Sequence, residues 1–194
     1  MSIRVVTGED IAPWIEAVAD LRIRVFRDWP YLYEGSVGYE REYLIHYRTS
    51  PGSVFVLALD DAGGVAGCST GLPLIDAHNE FRAPFRVSGY ELGRVFYFGE
   101  SVLDPAWRGR GIGHAFFDER EAHARKLGFD ITAFCAVLRP NDHPLRPADY
   151  RPLDEFWKKR GYEPVEGLTT SFAWQDIDQA HETDKPMQFW VKRL

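Results

Sequence analysis

Apolar positions along the chain switch between two periods, and the switches mark out its elements. Ser2–Val6 reads as a short strand. Thr7 and Asp10 have the spacing of a capping box before a helix in which Ile11, Trp14, Ile15, Val18, Leu21 and Val25 recur at helical intervals. The aromatic stretch Asp28–Tyr33 follows, then a second short helix over about Gly38–Tyr47. Ser53–Leu59 and Val65–Leu72 read as two strands joined by Asp60-Asp61-Ala62-Gly63-Gly64, which predicts a hairpin. Leu74–Glu91 is polar and irregular and is expected to be a long surface loop. Arg94–Leu103, rich in Val, Phe and Tyr, reads as a strand stopped by Asp104-Pro105. A glycine-rich turn then opens a helix running to Leu127, with Gly128 as its C-cap. Phe129–Val137 is nearly all apolar, as in a strand covered on both faces. A proline-rich loop leads to a helix over about Arg151–Arg160, with Pro152 in its first turn and Gly161 ending it. Leu168–Trp174 and Met187–Lys192 supply the last two strands. The order β-α-α-β-β-β-α-β-α-β-β predicts an α/β (α+β) protein: a mixed central sheet with helices on both faces, without regular strand–helix alternation.

Composition narrows this further. The 194 residues carry no repeat, low-complexity tract or dividing linker, so one domain spanning 1–194 is expected. With 23 basic against 29 acidic side chains the net charge is −6, which lacks the footprint of a general nucleic-acid or anionic-membrane binder. Cys68 and Cys135 stand far apart, without the spacing of a disulfide framework or a structural zinc site, and no metal is expected. Met1–Asp10 has no signal-peptide core, and the longest apolar runs, Val54–Leu59 and Ala133–Leu138, are too short to span a bilayer. A cytoplasmic protein with no membrane partner is the expectation. Aromatic residues, at 14%, are in excess and suit both interiors and concave small-molecule sites.

The stretch Glu100-Ser101-Val102-Leu103-Asp104-Pro105-Ala106-Trp107-Arg108-Gly109-Arg110-Gly111-Ile112-Gly113 carries the most chemistry. A strand enters a loop with glycines at three alternate positions, and a helix begins at once. Glycines admit a ligand close to the backbone, and the free N–H groups of a first helical turn favour phosphate. Arg108 and Arg110 add positive charge at the same end. The dinucleotide-binding spacing would need glycine at position 114 or 116, where His114 and Phe116 stand, and the P-loop Lys and Ser/Thr after the last glycine are missing.

Here the sequence resembles the GNAT superfamily of acyl-CoA-dependent N-acetyltransferases. Their signature Arg/Gln-x-x-Gly-x-Gly/Ala is matched by Arg108, Gly111 and Gly113. Glu100, Leu103, Pro105 and Arg108-Gly109 match the neighbouring pattern, and Phe156-Trp157-Lys158-Lys159-Arg160-Gly161-Tyr162 is similar to the family's later helix ending in Gly-aromatic. The resemblance implies a fourth strand splayed from the fifth, with the pantetheine arm of acetyl-CoA against Val102, Leu103 and Asp104. It further implies pyrophosphate on the backbone of Arg108, Gly109, Arg110, Gly111, Ile112 and Gly113, and a backbone N–H near Val102 for the thioester carbonyl.

Acetyl transfer to an amine requires a base, and Glu100 occupies the strand position where many family members carry an acid; a solvated or arginine-paired glutamate is the alternative. The family's thiolate-protonating Tyr is replaced here by Trp157, which cannot usefully release a proton, so Tyr150 is the substitute candidate. An acetyltransferase acting on a small-molecule or peptide amine in a ternary complex is the first reading, and a non-catalytic acyl-CoA-binding module the second. The aromatic segment Trp29–Tyr33 and Tyr39, Tyr43 and Tyr47 are candidates for an acceptor pocket, with core packing as the alternative. Strands expected at the C-terminus make a homodimer plausible. Gly67-Cys68-Ser69-Thr70-Gly71 spells a nucleophile elbow, but extended chain rather than a helix follows it.

Overall fold

The computed structural model describes Met1–Leu194. Seven strands, β1 Ser2–Thr7, β2 Val54–Leu59, β3 Val65–Pro73, β4 Val95–Leu103, β5 Ile131–Val137, β6 Glu163–Gln175 and β7 Glu182–Arg193, form one sheet in the order β1-β2-β3-β4-β5-β7-β6. All neighbouring pairs are antiparallel except β4 and β5. Five α-helices flank it: α1 Ile15–Phe26, α2 Val37–Thr49, α3 Asn79–Val87, α4 Ile112–Lys126 and α5 Asp154–Lys159.

The strand alternation divides the core in two. Phe55, Leu57, Val95 and Tyr97 face one apolar cluster with Ile15, Val18 and Leu21 of α1, Leu44 and Tyr47 of α2, and Phe81 and Phe85 of α3. Val54, Val56, Phe96 and Phe98 face the other, with Ile112, Phe116 and Phe117 of α4, and Phe156 and Trp157 of α5 pack on it. Every residue of β2 is buried, as its unbroken apolar run requires of a strand covered on both faces.

Four sequence expectations change. Thr7 precedes a helical segment, but its side chain makes no capping bond; Gly8–Trp14 coil as a 3-10 helix containing Pro13, and α1 starts only at Ile15. The expected loop Leu74–Glu91 contains α3, whose Phe81 and Phe85 lie one turn apart and bury against Tyr97, Phe172 and Phe189. Two buried apolar residues in nine, with Pro84 between them, leave too short a pattern to read as periodic. The last helix is only six residues long, beginning after Pro152. Finally, β6 and β7 are longer than expected, at 13 and 12 residues. β6 is an edge strand that leaves much of its length exposed, so polar positions fill its outer part.

Candidate active site

Two irregularities of β4 build the site. Parallel pairing with β5 covers only Val95, Phe96 and Tyr97, against Ile131, Thr132 and Ala133. Beyond Tyr97 the strands part, while β5 stays paired with β7 as far as Val137 and β4 with β3 as far as Leu103. The expected splay between the fourth and fifth strands is therefore present.

The second irregularity is a β-bulge. Ser69 pairs with Ser101 and Gly71 with Phe98, so Thr70 stands opposite both Gly99 and Glu100. Two consecutive residues consequently face the same side. A Cβ added at Gly99 would meet the Tyr47 hydroxyl of α2, and the Glu100 side chain reaches Arg22 of α1 and Tyr43 of α2. In an unbroken strand Glu100 would share the α4 face with Phe96 and Phe98.

Beyond the bulge, backbone direction follows from the ladder. The Asp104 N–H donates to the Ala66 carbonyl at 2.9 Å. By antiparallel alternation Val102, paired with Cys68, also turns its N–H towards β3, and the N–H groups of Ser101 and Leu103 point to the open edge facing β5. Ser101 itself is exposed between buried Glu100 and Val102.

The Glu100 carboxylate is enclosed, with 3% of its side chain exposed. Arg22 Nη1 stands 2.6 Å from its Oε2, and the Tyr43 hydroxyl donates to the same oxygen at 3.4 Å. Arg22 also pairs through Nε with Glu40, which is fully buried. One guanidinium thus serves two carboxylates, leaving a net charge of −1 inside the protein. Glu40 Oε1 and Glu100 Oε1 have no hydrogen-bond partner. Burial outweighed by the two facing carboxylates leaves Arg22 held well above its ordinary pKa. Burial, the neighbouring Tyr47 hydroxyl and Glu100 push Tyr43 up, so it is a neutral hydroxyl at physiological pH.

β4 runs on through Leu103 and Asp104, whose carboxylate accepts from the Ala106 N–H at 2.9 Å, into the glycine-rich turn. Gly109 and Gly111 adopt φ +75° and +80°, and a Cβ on either would meet no protein atom within 4 Å. The left-handed backbone is what calls for glycine here. Gly111 caps α4 without a side-chain acceptor, and the helix opens with Ile112 and Gly113. Arg108 donates to the Leu103 carbonyl at 3.3 Å, Arg110 to Ala106 at 3.3 Å while lying over Trp107, and neither guanidinium meets a carboxylate. Unsatisfied N–H groups and two unpaired cations at a helix start form a cradle for a polyanion.

The proton-donor candidates lie elsewhere. Trp157 is partly buried and packs edge-on against Phe134 and Trp190 of the core, at centroid distances of 5.0 and 5.1 Å. Tyr150 precedes α5 in the loop, edge-on to Trp29 at 5.9 Å with Arg146 over its ring, and no hydrogen bond or ring contact joins it to β4. Its hydroxyl is raised by burial. Of the aromatic acceptor candidates, Tyr43 and Tyr47 stand beside Glu100, and His78 stacks on Tyr43. Trp29 lies against His143 of the proline-rich loop, and Arg139 of that loop binds the carbonyls of Pro30 and Tyr31 together with both oxygens of buried Asp176. Arg22, Glu40 and Arg120 escaped the sequence reading. Each lies one helical turn from core residues, Val18, Leu44 and Phe116, so a charge at an apolar helical phase was the available signal.

The opening of β4 from β5 thus lies directly beside a helix that starts on glycines. The model of the acetyltransferase (GNAT) family matches residues 16–146, and the chain belongs to that family. Among solved structures it is similar to a ribosomal-protein-alanine N-acetyltransferase from Brucella melitensis, with 16% identity, TM-score 0.63 and 100% of both chains covered. It is also similar to an aminoglycoside 6'-N-acetyltransferase complexed with coenzyme A, with 16% identity, TM-score 0.60, and 100% and 97% covered. A third is an N-acetyltransferase from Staphylococcus aureus, with 11% identity, TM-score 0.62, and 100% and 99% covered. No curated protein sequence matches the chain. No helix is long and apolar enough to cross a membrane.

Proposed function

We propose that the protein transfers the acetyl group of acetyl-CoA to a primary amine of a small-molecule or peptide acceptor, directly, with both substrates bound. The observation that carries this reading is the opening of β4 from β5 beside the Gly109–Gly113 turn, which aligns an open strand edge with a phosphate cradle. Backbone N–H groups at the start of α4, with Arg108 and Arg110, would hold the pyrophosphate. The N–H groups of Ser101 and Leu103 are the donors nearest a thioester lying along β4. In the transfer the amine nitrogen forms a bond to the acetyl carbon and the carbon–sulfur bond breaks, leaving the CoA thiolate. The amine must first lose a proton. Tyr43 is half-buried and donates to Glu100, so the proton passes to the Tyr43 oxygen as the Tyr43 proton moves to Glu100. The net −1 of Arg22, Glu40 and Glu100 favours an acceptor that arrives as an ammonium ion. The second proton of the attacking nitrogen leaves to solvent as the carbon–sulfur bond breaks, and the CoA thiolate is protonated from solvent, since Trp157 has no proton to give and Tyr150 lies against Trp29.

Calorimetry with acetyl-CoA and a thiol-release assay over an amine panel test the reading. Wild type should bind acetyl-CoA and release CoA with at least one amine. Glu100→Gln should lower kcat by about 100-fold or more, in line with loss of a general base. The ion pair that occupies Glu100 favours a second reading, an acyl-CoA-binding module without catalysis, which predicts binding but no CoA release with any amine.

A further inference from the structure

Arg120 of α4 takes no part in the chemistry above, yet it is 1% exposed and has no carboxylate partner. An isolated buried cation is costly, and an aliphatic side chain would fill the same space. All its bonds are to backbone or hydroxyl oxygens at the bulge and on its own helix. Nη1 donates to the carbonyls of Thr70 and Glu100, both at 3.1 Å, Nη2 to Ser101 Oγ at 2.9 Å, and Nε to the Phe116 carbonyl at 3.1 Å. The guanidinium lies over the Phe98 and Phe117 rings at 4.1 and 5.0 Å. Thr70 and Glu100 are two of the three residues, with Gly99, that the bulge leaves out of the β3–β4 register, so the fork spans the irregularity. Burial lowers its pKa to about 10, which keeps it charged at neutral pH.

We propose that Arg120 is a positioning residue for acetyl transfer: it clamps the β4 bulge and polarises the Glu100–Ser101 peptide, whose N–H faces the open edge of β4. A strong hydrogen bond to a peptide carbonyl increases the donor strength of the N–H in the same unit. A donor fixed in place before reaction stabilises the charge that develops on the thioester oxygen without reorganisation. Lysine could not reproduce this, because a single ammonium lacks the planar fork that reaches four acceptors at once.

The inference rests on the acetyltransferase reading, and the test separates the two. Acetyl-CoA carrying a 13C carbonyl is bound to wild type, Arg120→Met and Arg120→Lys, and the carbonyl stretch is followed by isotope-edited infrared spectroscopy. Wild type should lower the stretch relative to free acetyl-CoA, Arg120→Lys should retain part of that shift, and Arg120→Met should lose most of it. Steady-state kinetics should show kcat falling about 10-fold in Arg120→Met with KM for acetyl-CoA nearly unchanged. That is less than the roughly 100-fold for deleting an oxyanion donor, because the Ser101 N–H remains. Equal carbonyl shifts and equal kcat in all three proteins would overturn the role of Arg120. Absence of acetyl-CoA binding by wild type overturns the acetyltransferase reading itself. If Arg120→Met does not fold, Arg120→Lys and the wild-type Ser101 amide resonance decide. An amide proton that does not move when acetyl-CoA binds overturns the inference.

Discussion

Gly99→Ala is the sharpest probe of the bulge. Gly99 has no positive φ, so alanine can adopt its backbone conformation and the penalty is one of space alone. The new Cβ would overlap the Tyr47 hydroxyl, stand 2.7 Å from Thr70 Oγ1 and 3.1 Å from Tyr47 Cζ. Tyr47 cannot swing away freely: it is 2% exposed, with Tyr43 and Phe55 rings edge-on at 5.7 and 5.6 Å. Overpacking of this kind costs about 1–3 kcal/mol. Displacing the hydroxyl from Tyr43, 3.2 Å away, forfeits about 1 kcal/mol more. The sum is about 3 kcal/mol, or roughly 6–12 °C in Tm for a chain of this length. Urea denaturation of wild type, Gly99→Ala, Tyr47→Phe and the double variant measures it. Removing the hydroxyl relieves the worst contact but not the Thr70 one, so the double variant should recover about half the loss, a coupling of at least about 1 kcal/mol. A Gly99→Ala protein within about 0.5 kcal/mol of wild type, or zero coupling to Tyr47, would refute the packing account.

Replacing Arg22 by Met strands two buried carboxylates and should cost about 3–5 kcal/mol by chemical denaturation, with Glu40→Gln as control. Arg139→Ala leaves Asp176 with Lys185 alone, 3.4 Å away, and releases the carbonyls of Pro30 and Tyr31; a loss of about 2 kcal/mol and faster amide exchange over Tyr31–Tyr33 are expected. Arg108→Ala and Arg110→Ala should each weaken acetyl-CoA binding about 10-fold by calorimetry, with a shallower salt dependence than wild type. His78 and His123 both titrate below the ordinary histidine range, chiefly through burial, opposed at His123 by the Gly52 carbonyl and aided at His78 by His46. Their folded forms resist protonation that the unfolded chain accepts, so stability is fully present above about pH 6.5 and declines as pH falls below it. His123→Gln should flatten that decline in denaturation curves taken from pH 7.5 to 5.

The parts of the site that follow local rules were legible. The Gly109–Gly113 turn, the strand before it and the helix after it each carry their own signal, and the apolar alternation of Val95–Phe98 marks a central strand. Glu100 was placed on the right strand, but the face it occupies depends on the bulge, which is a relation between strands. Its only local trace is Gly99, a lone glycine within a strand pattern. The partners of Glu100 are further from view. Arg22 and Tyr43 meet it only because α1 and α2 lie on the same side of β4, and no spacing along the chain encodes that meeting. α3 is hidden for the opposite reason: two phenylalanines supply its whole buried face, and the strands they pack on, β4, β6 and β7, all follow it, two of them long after.

The bulge also explains how opposite charges can sit at one point of a strand without cancelling. The Glu100 side chain joins Arg22 and Glu40 on the side of α1 and α2, where the group sums to −1. The Glu100 carbonyl is held from the α4 side by Arg120, a lone cation. The two groups are separated by the thickness of β4, and Arg120 bonds only to carbonyl and hydroxyl oxygens, so it does not neutralise the carboxylates by pairing. In the proposed reaction an ammonium ion would be attracted to the first side, and negative charge developing at the Ser101 N–H would be stabilised from the second. Acetyl transfer needs both, a proton drawn from the amine and negative charge accepted by the thioester. A regular strand could not supply them from one residue, because Glu100 would then turn its carboxylate to the Arg120 side, where the two would pair and each would lose its separate effect.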